Sequence, residues 1–240
     1  TTFFASVSLI GSVRASLFMN IEPILTITLG FIVLGQVLTP LDESAVEALL
    51  PTLEAKGVGS IAVGFLHGYA NSEHERRVEE ILTRALPDVP VTLAAEICPE
   101  VREYERFTTA TANAYVRPLI EGYLARLETR LGALGFDCPV LLMTSGGGLT
   151  TLENAKRQPI RLVESGPAGG VVLAREIAAE AGLDKVMSFD MGDTTAKICF
   201  IEKFEPRRAR EFEVDRQARF MKGSGLPLRI PVIEMVEIGA

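Results

Sequence analysis

The 240-residue chain contains no tryptophan and only two histidines, His67 and His74. So few histidines leave little material for a histidine-based metal centre. Cysteine is scarce too: Cys98, Cys138 and Cys199 are far apart, odd in number and form no CxxC pair. This argues against a disulfide framework or a zinc site and points to a reducing, cytoplasmic location. Basic charge is in the minority, with 24 Lys and Arg against 31 Asp and Glu, for a net charge of −7. A general nucleic-acid-binding surface is therefore excluded. Long apolar runs are missing as well. The longest, Ile24–Leu34, is broken by two threonines and a glycine, and Pro23, Glu22 and Asn20 precede it. A membrane-spanning helix needs about 20 such residues, so no membrane association is expected. No basic stretch precedes the run, which speaks against a signal peptide. Its β-branched start, Ile24–Thr28, suits a buried strand. The chain begins with Thr1 and has no initiator Met, which suggests a fragment or a processed product.

What is present reads as a globular α/β protein. Hydrophobic residues make up 48% and charged residues 23%. Asp42 and Gly57 bracket a helix over 43–56, with Pro51 as a kink. Residues 60–66 and 91–95 read as strands around a charged helix at 73–86. A long helix is predicted over 112–134, where Ile120, Leu124, Leu127, Leu131 and Leu134 form one apolar stripe. Residues 140–143 read as a buried strand, 171–181 as a helix, and 185–190 and 196–202 as strands. Residues 208–214 and 228–237 look like further strands. Strands and helices alternate and then strands dominate, which suggests a parallel-rich layer followed by the opening of another sheet.

Three glycine-rich loops carry the chemistry. Thr144-Ser145-Gly146-Gly147-Gly148 follows a strand, where bare backbone N–H groups could approach an anion. A plain turn explains it equally. Glu164-Ser165-Gly166-Pro167-Ala168-Gly169-Gly170 opens a helix, a ready anion site, or a tight packing contact between helix and sheet. In Asp190-Met191-Gly192-Asp193-Thr194-Thr195, a strand ends in a carboxylate, turns tightly and returns through hydroxyls. That arrangement suits nucleotide phosphates: turn N–H groups and Thr194 donate, and Asp190 can hold Mg²⁺ through water. None of these loops matches GxxxxGK[ST] or GxGxxG. Two other groups stand out. Arg102, Glu103, Glu105 and Arg106 form either a charged site or a solvated helix start. His67 closes a strand in FLHGY, where α/β sheets present ligand-facing groups. The eight basic and five acidic residues of 202–229 form either an exposed edge or a subunit contact.

Several stretches together resemble the hydantoinase A/5-oxoprolinase family: FLHGYAN (65–71), EVREYER (100–106) with NAYV (113–116), LVESGPAGG (162–170), SFDMGDTTAK (188–197) and the tail from residue 222. The resemblance spans about 36–240. It implies a ribonuclease-H-like ATPase fold of the actin, Hsp70 and sugar-kinase type, present here as an incomplete fragment. Residues 1–35 form an atypical apolar segment unlike the family's N-terminal region, 36–183 part of a first α/β domain, and 184–240 the start of a second. The resemblance further implies ATP and Mg²⁺ as cofactors. Asp190, Gly192, Thr194, Thr195, Ser165, Gly166, Gly169, Gly170, Ser145, Gly146 and Gly147 would line the nucleotide site, with Asp190 toward the metal. The implied activity is hydrolysis of a cyclic amide, a lactam or hydantoin, after phosphorylation of its carbonyl, with a hydantoinase B-type partner subunit in an oligomer. An acetone-carboxylase-like subunit activating a ketone, or a non-catalytic interaction subunit, are the alternatives. The family's turn reads DMGGT, whereas this chain has Asp193 at the second glycine. Two unit charges about 4 Å apart repel by roughly 4 kcal/mol at an effective dielectric near 20, so Asp193 opposes a phosphate there.

Overall fold

The computed structural model describes residues 40–192, 195–217, 221 and 223–239. The strand expected at 24–28 and the turn residues Asp193 and Thr194 lie outside the described residues. Residues 43–240 form one compact unit. Helix α1 (Glu43–Lys56) has the bounds its caps suggest, and Gly57 ends it at φ +58°. Strands β1 (Ile61–Val63) and β2 (Val91–Leu93) pair in parallel, with helix α2 (Glu73–Ala85) between them in sequence. Val78, Ile81 and Leu82 recur at three- and four-residue spacing, so α2 buries one stripe. This is the one parallel pair among the described residues. All other recorded pairings are antiparallel, so the described residues do not form the parallel-rich layer expected from the alternation.

After the short helix α3 (Ala94–Ile97) comes α4 (Glu103–Ala133). It starts nine residues before the helix expected from residue 112. The early part buries Arg106, Thr109, Ala110 and Asn113, a mostly polar face that leaves no apolar stripe to read. Pro118 sits inside the helix and cannot donate to the carbonyl of Ala114. The Ser60 hydroxyl donates to that carbonyl instead, at 2.5 Å. Only the first part of the expected stripe is core. Leu124 is buried, and Ile120 and Leu127 pack beside it with Leu152 and Ala155, but Leu134 is 74% exposed because the helix outruns its cover.

Strands β3 (Leu141–Met143) and β4 (Leu149–Thr151) form a hairpin. The Thr151 hydroxyl caps helix α5 (Leu152–Arg157), accepting from Asn154 N–H at 3.3 Å. A 3₁₀ turn (Pro159–Leu162) leads to helix α6 (Ser165–Glu180). The glycine-rich segment 165–170, expected as a loop before a helix from 171, is the first part of α6 itself. Ala168 and Val171 hold it down by packing on Cys199 and Ile201.

Strands β5 (Lys185–Met191) and β6 (Thr195–Glu202) form a second hairpin. The short β7 (Glu205–Pro206) folds back on β6. The strand expected at 208–214 divides into β8 (Arg208–Ala209) and β9 (Phe212–Val214). The next one divides into β10 (Leu226–Leu228), β11 (Val232–Ile233) and β12 (Val236–Gly239), with Pro231 between the first two unable to donate to a ladder. β12 pairs with β6, so the sheet order is β12-β6-β5. β9 pairs with β10, and β8 with β11. One apolar cluster joins Ile97 and Ile160 to Leu228, Ile230 and Val232.

Candidate functional site

Alternation along β5 and β6 decides which side chains face α6. Cys199 and Ile201 pack beneath it, so Lys197 projects to the same side. Asp190 and Glu237 lie directly across from Lys197 on the neighbouring strands and share that face. Lys197 forms an ion pair with Glu164, the residue that begins α6 in a left-handed conformation (φ +61°). This pair ties the strand after the Asp190 turn to the helix start carrying Ser165. Neither partner stood out from sequence alone. They lie 33 residues apart. The available signal was the alternation that places Lys197 opposite Asp190.

Asp190, Met191 and Gly192 are exposed, and Thr195 is half-buried. The Gly192 N–H donates to the Thr195 carbonyl at 3.0 Å, closing the turn. On α6, a methyl group at Gly166 or Gly170 would meet nothing within 4 Å. These two positions share one open helix face, four residues apart. Gly169 faces inward instead, 3.8 Å from the Met143 side chain by its would-be Cβ. An exposed carboxylate beside an open, side-chain-free helix start is a donor set that fits a Mg²⁺–phosphate group. No cluster of three or more His, Cys, Asp or Glu able to hold a metal ion exists among the described residues.

The loop 144–148 is the turn of the β3–β4 hairpin. Thr144 N–H donates to the Gly148 carbonyl at 2.8 Å, and Gly147 adopts φ +80°. Ser145 is buried and spends all its polar atoms inside the protein. Its N–H donates to Arg161 O at 2.8 Å, and its hydroxyl lies 3.0 Å from Arg161 O and 2.9 Å from Pro231 O. Its carbonyl accepts from Ile233 N–H at 2.9 Å. Gly146 lies against Pro231, and Gly147 against Ile233 and Val172 of α6. Loop 144–148 therefore packs on the side of α6, and the Lys197–Glu164 pair ties the strand after the Asp190 turn to the residue just before α6.

A second constellation lies at the carboxyl ends of β1 and β2. Glu75 is fully buried and accepts from Phe65 N–H at 3.0 Å and Ala95 N–H at 2.7 Å. Arg106 is also fully buried and donates from Nη2 to Phe65 O at 2.5 Å. Its guanidinium lies between the rings of Tyr69 and Phe107, at 5.5 and 5.1 Å. Glu103 accepts from His67 N–H at 3.4 Å. Its own backbone N–H, and then that of His67, hold its carboxyl below the usual carboxylate range. Burial pushes the neighbouring Cys98 thiol up. Asn113 is structural: its amide bonds Thr92 and Arg157 O and accepts from Ile160 N–H. At the amino ends of the same strands lies a cleft of about 610 Å³ lined by Glu79, Arg117, Glu121 and Arg157. Burial, and then Glu96, raise the Glu79 carboxyl.

Comparison with known proteins bears on these arrangements. Caprolactamase subunit alpha of Pseudomonas jessenii is 32% identical over 68% of this chain and 24% of its own length. A 5-oxoprolinase of Saccharomyces cerevisiae is 34% identical over 65% of this chain and 12% of its own. An uncharacterised protein of Methanocaldococcus jannaschii is 35% identical over 86% and 31%. The chain thus spans less than a third of these relatives. The crystal structure of ATP-dependent caprolactamase from Pseudomonas jessenii superposes with a TM-score of 0.71 at 28% identity, over 86% of this chain and 28% of that one. Nucleotide-free acetone carboxylase gives 0.69 at 25% identity, over 84% and 27%. The model of the hydantoinase/oxoprolinase N-terminal region matches residues 7–86. The family likeness therefore reaches well into the first 35 residues, further back than the motifs indicated. The hydantoinase/oxoprolinase model itself matches residues 106–240, and the chain belongs to that family.

Proposed function

We propose that the chain is part of an ATP-dependent enzyme that opens a cyclic amide. The Lys197–Glu164 pair carries this reading, because it joins the Asp190 turn to the glycine-rich start of α6. On this reading the phosphates lie between the Asp190–Thr195 turn, which carries the hydroxyls of Thr194 and Thr195, and the open face of α6 at Ser165, Gly166 and Gly170, while Gly169 packs inward toward Met143. Helix N-termini favour such anions. Ser145, Gly146 and Gly147 support α6 from behind. Asp190 would hold Mg²⁺, and the ion would supply charge neutralisation of the transferring phosphoryl group. Lys197 provides the fixed positive charge on the same sheet face. In the reaction the amide oxygen takes the γ-phosphoryl group from ATP and ADP leaves; one water adds to the carbon, the C–N bond breaks with a proton passing to the nitrogen, and a second water splits the resulting acyl phosphate into carboxylate and phosphate. The fold is read as ribonuclease-H-like and part of a longer, cytoplasmic, multi-subunit polypeptide with a B-type partner. The likeness to the caprolactamase structure supports the ring-opening chemistry.

The test is phosphate release by the full polypeptide with its partner subunit, Mg²⁺ and ATP, on adding caprolactam, hydantoin or 5-oxoproline. Release coupled one-to-one with ring opening is expected. No lactam-dependent release would refute the reading. Likeness to acetone carboxylase supports a second reading, ketone activation, marked by phosphate release that needs a ketone and bicarbonate. A non-catalytic subunit would show neither.

A further inference from the structure

The cleft at the amino ends of β1 and β2 is built by several elements at once. Helix α2 supplies Glu79, the segment entering β2 supplies Pro87 and Pro90, α4 supplies Arg117 and Glu121, and α5 ends in it with Arg157. Its volume of about 610 Å³ falls within the range of small-molecule sites. None of the residues of the Asp190 turn or of α6 lines it. Arg117 is held in place and only 15% exposed. Its Nη1 donates to Val91 O at 2.6 Å, and its Nε to Glu121 at 3.4 Å. The third nitrogen, Nη2, has no acceptor among the described residues and remains open to solvent. Arg157 is paired with Glu96 at 2.9 Å.

Glu79 is the odd group out. It is half-buried, yet it has neither a hydrogen bond nor an ion pair among the described residues. Burial and Glu96 raise its carboxyl even though Arg157, Arg117 and Arg76 pull the other way. A half-buried carboxyl without a donor carries a cost that a bound cation removes. With Arg117 set against Glu121 and Arg157 against Glu96, the uncompensated charge of the lining is that of Glu79 and the exposed Asp88. The cleft thus lacks a cation beside Glu79 and an acceptor beside Arg117 Nη2. We infer that it binds an amino acid in its zwitterionic form, with the ammonium group on Glu79 and the carboxylate on Arg117 Nη2. Both contacts are charge-assisted hydrogen bonds, about twice as strong as neutral ones. Pro87 and Pro90, which have no N–H to offer, present a carbon wall to the chain between the two charges. The inference stands on these side chains alone. The cyclic-amide reading adds only that opening a lactam yields an amino acid, the class of product this cleft would retain.

The experiment titrates the purified chain by calorimetry with 6-aminohexanoate, glutamate, hexanoate and hexylamine in turn. At least one of the two amino acids is expected to bind saturably, and at least tenfold more tightly than hexanoate or hexylamine, which carry one charge each. Glu79→Gln keeps the shape of the side chain and removes its charge. It should lose at least tenfold in amino-acid affinity with no fall in melting temperature at pH 7, which separates loss of the site from loss of the fold. No saturable binding of either amino acid, equal binding of hexanoate or hexylamine, or unchanged affinity in Glu79→Gln would overturn the inference. Failure of lactam-dependent phosphate release while the amino acid still binds would reject the ATP-coupled reading and leave this site standing.

Discussion

Glu75 shows how a charged residue can serve as core. Its two bonds from Phe65 and Ala95 amides join the segments after both parallel strands. Charged hydrogen bonds are worth about 1.5–3 kcal/mol each, so Glu75→Ala should cost roughly 3–5 kcal/mol in urea unfolding. Wild-type stability would contradict this. Glu79 behaves oppositely, because burial raises its carboxyl above the unfolded value. A raised group favours the fold below its unfolded pKa, and that advantage is lost as pH rises through the folded value. Glu79→Gln should therefore raise the melting temperature at pH 7 and leave it unchanged near pH 4. A gain at both pH values would assign the effect to something other than ionisation. At this scale, alternation showed Cys199 in a core, whereas His67, read as closing a strand over 60–66, lies in the turn beyond β1, which ends at Val63. The sequence did not single out Glu75, since a carboxylate in a charged helix reads as surface until its backbone donors are seen.

The helices and hairpins divide along similar lines. Gly57 and Gly135 were readable as helix ends because both take φ above +50°, which other residues avoid. The β5–β6 hairpin was readable from its alternation. The start of α4 was hidden because its buried face is polar, and the start of α6 because Ser-Gly-Pro-Ala-Gly-Gly has loop composition. Only packing of Ala168 and Val171 makes that stretch a helix. The Lys197–Glu164 pair was invisible for a different reason: nothing local specifies a contact across two elements. The Ser60 bond to Ala114 O gives an element-scale prediction. Ser60→Ala leaves that carbonyl unpaired beside Pro118, at a cost of about 1–3 kcal/mol, read as earlier amide exchange around residues 114–118. Exchange unchanged from wild type would rule it out.

Across the whole molecule, the far face of β12-β6-β5 is apolar and uncovered by the described residues. Met187, Phe189, Met191, Phe200, Val236 and Ile238 are each between 46% and 73% exposed. Large exposed patches of this kind drive association. Phe189→Ser should raise the concentration at which the chain stays monodisperse in light scattering, and no change would show the face is inert. On the proposed reading, the Asp193 carboxylate opposes the phosphates at the Asp190 turn, so this chain should bind Mg²⁺–ATP with Kd weaker than about 10 μM, equivalent to roughly −7 kcal/mol. Asp193→Gly should tighten it by removing a like charge. Tighter binding by the parent chain in calorimetry would refute the charge argument.

The three thiols sit in different surroundings: Cys138 is exposed, while Cys98 and Cys199 are buried at separate places. Cys98 lies at the end of α3 and Cys199 beneath α6. A thiol reagent should consume Cys138 at once and reach the others only when their surroundings open. The chain thus carries its own pair of clocks, one timing local opening at the end of α3 and the other timing separation of α6 from its sheet.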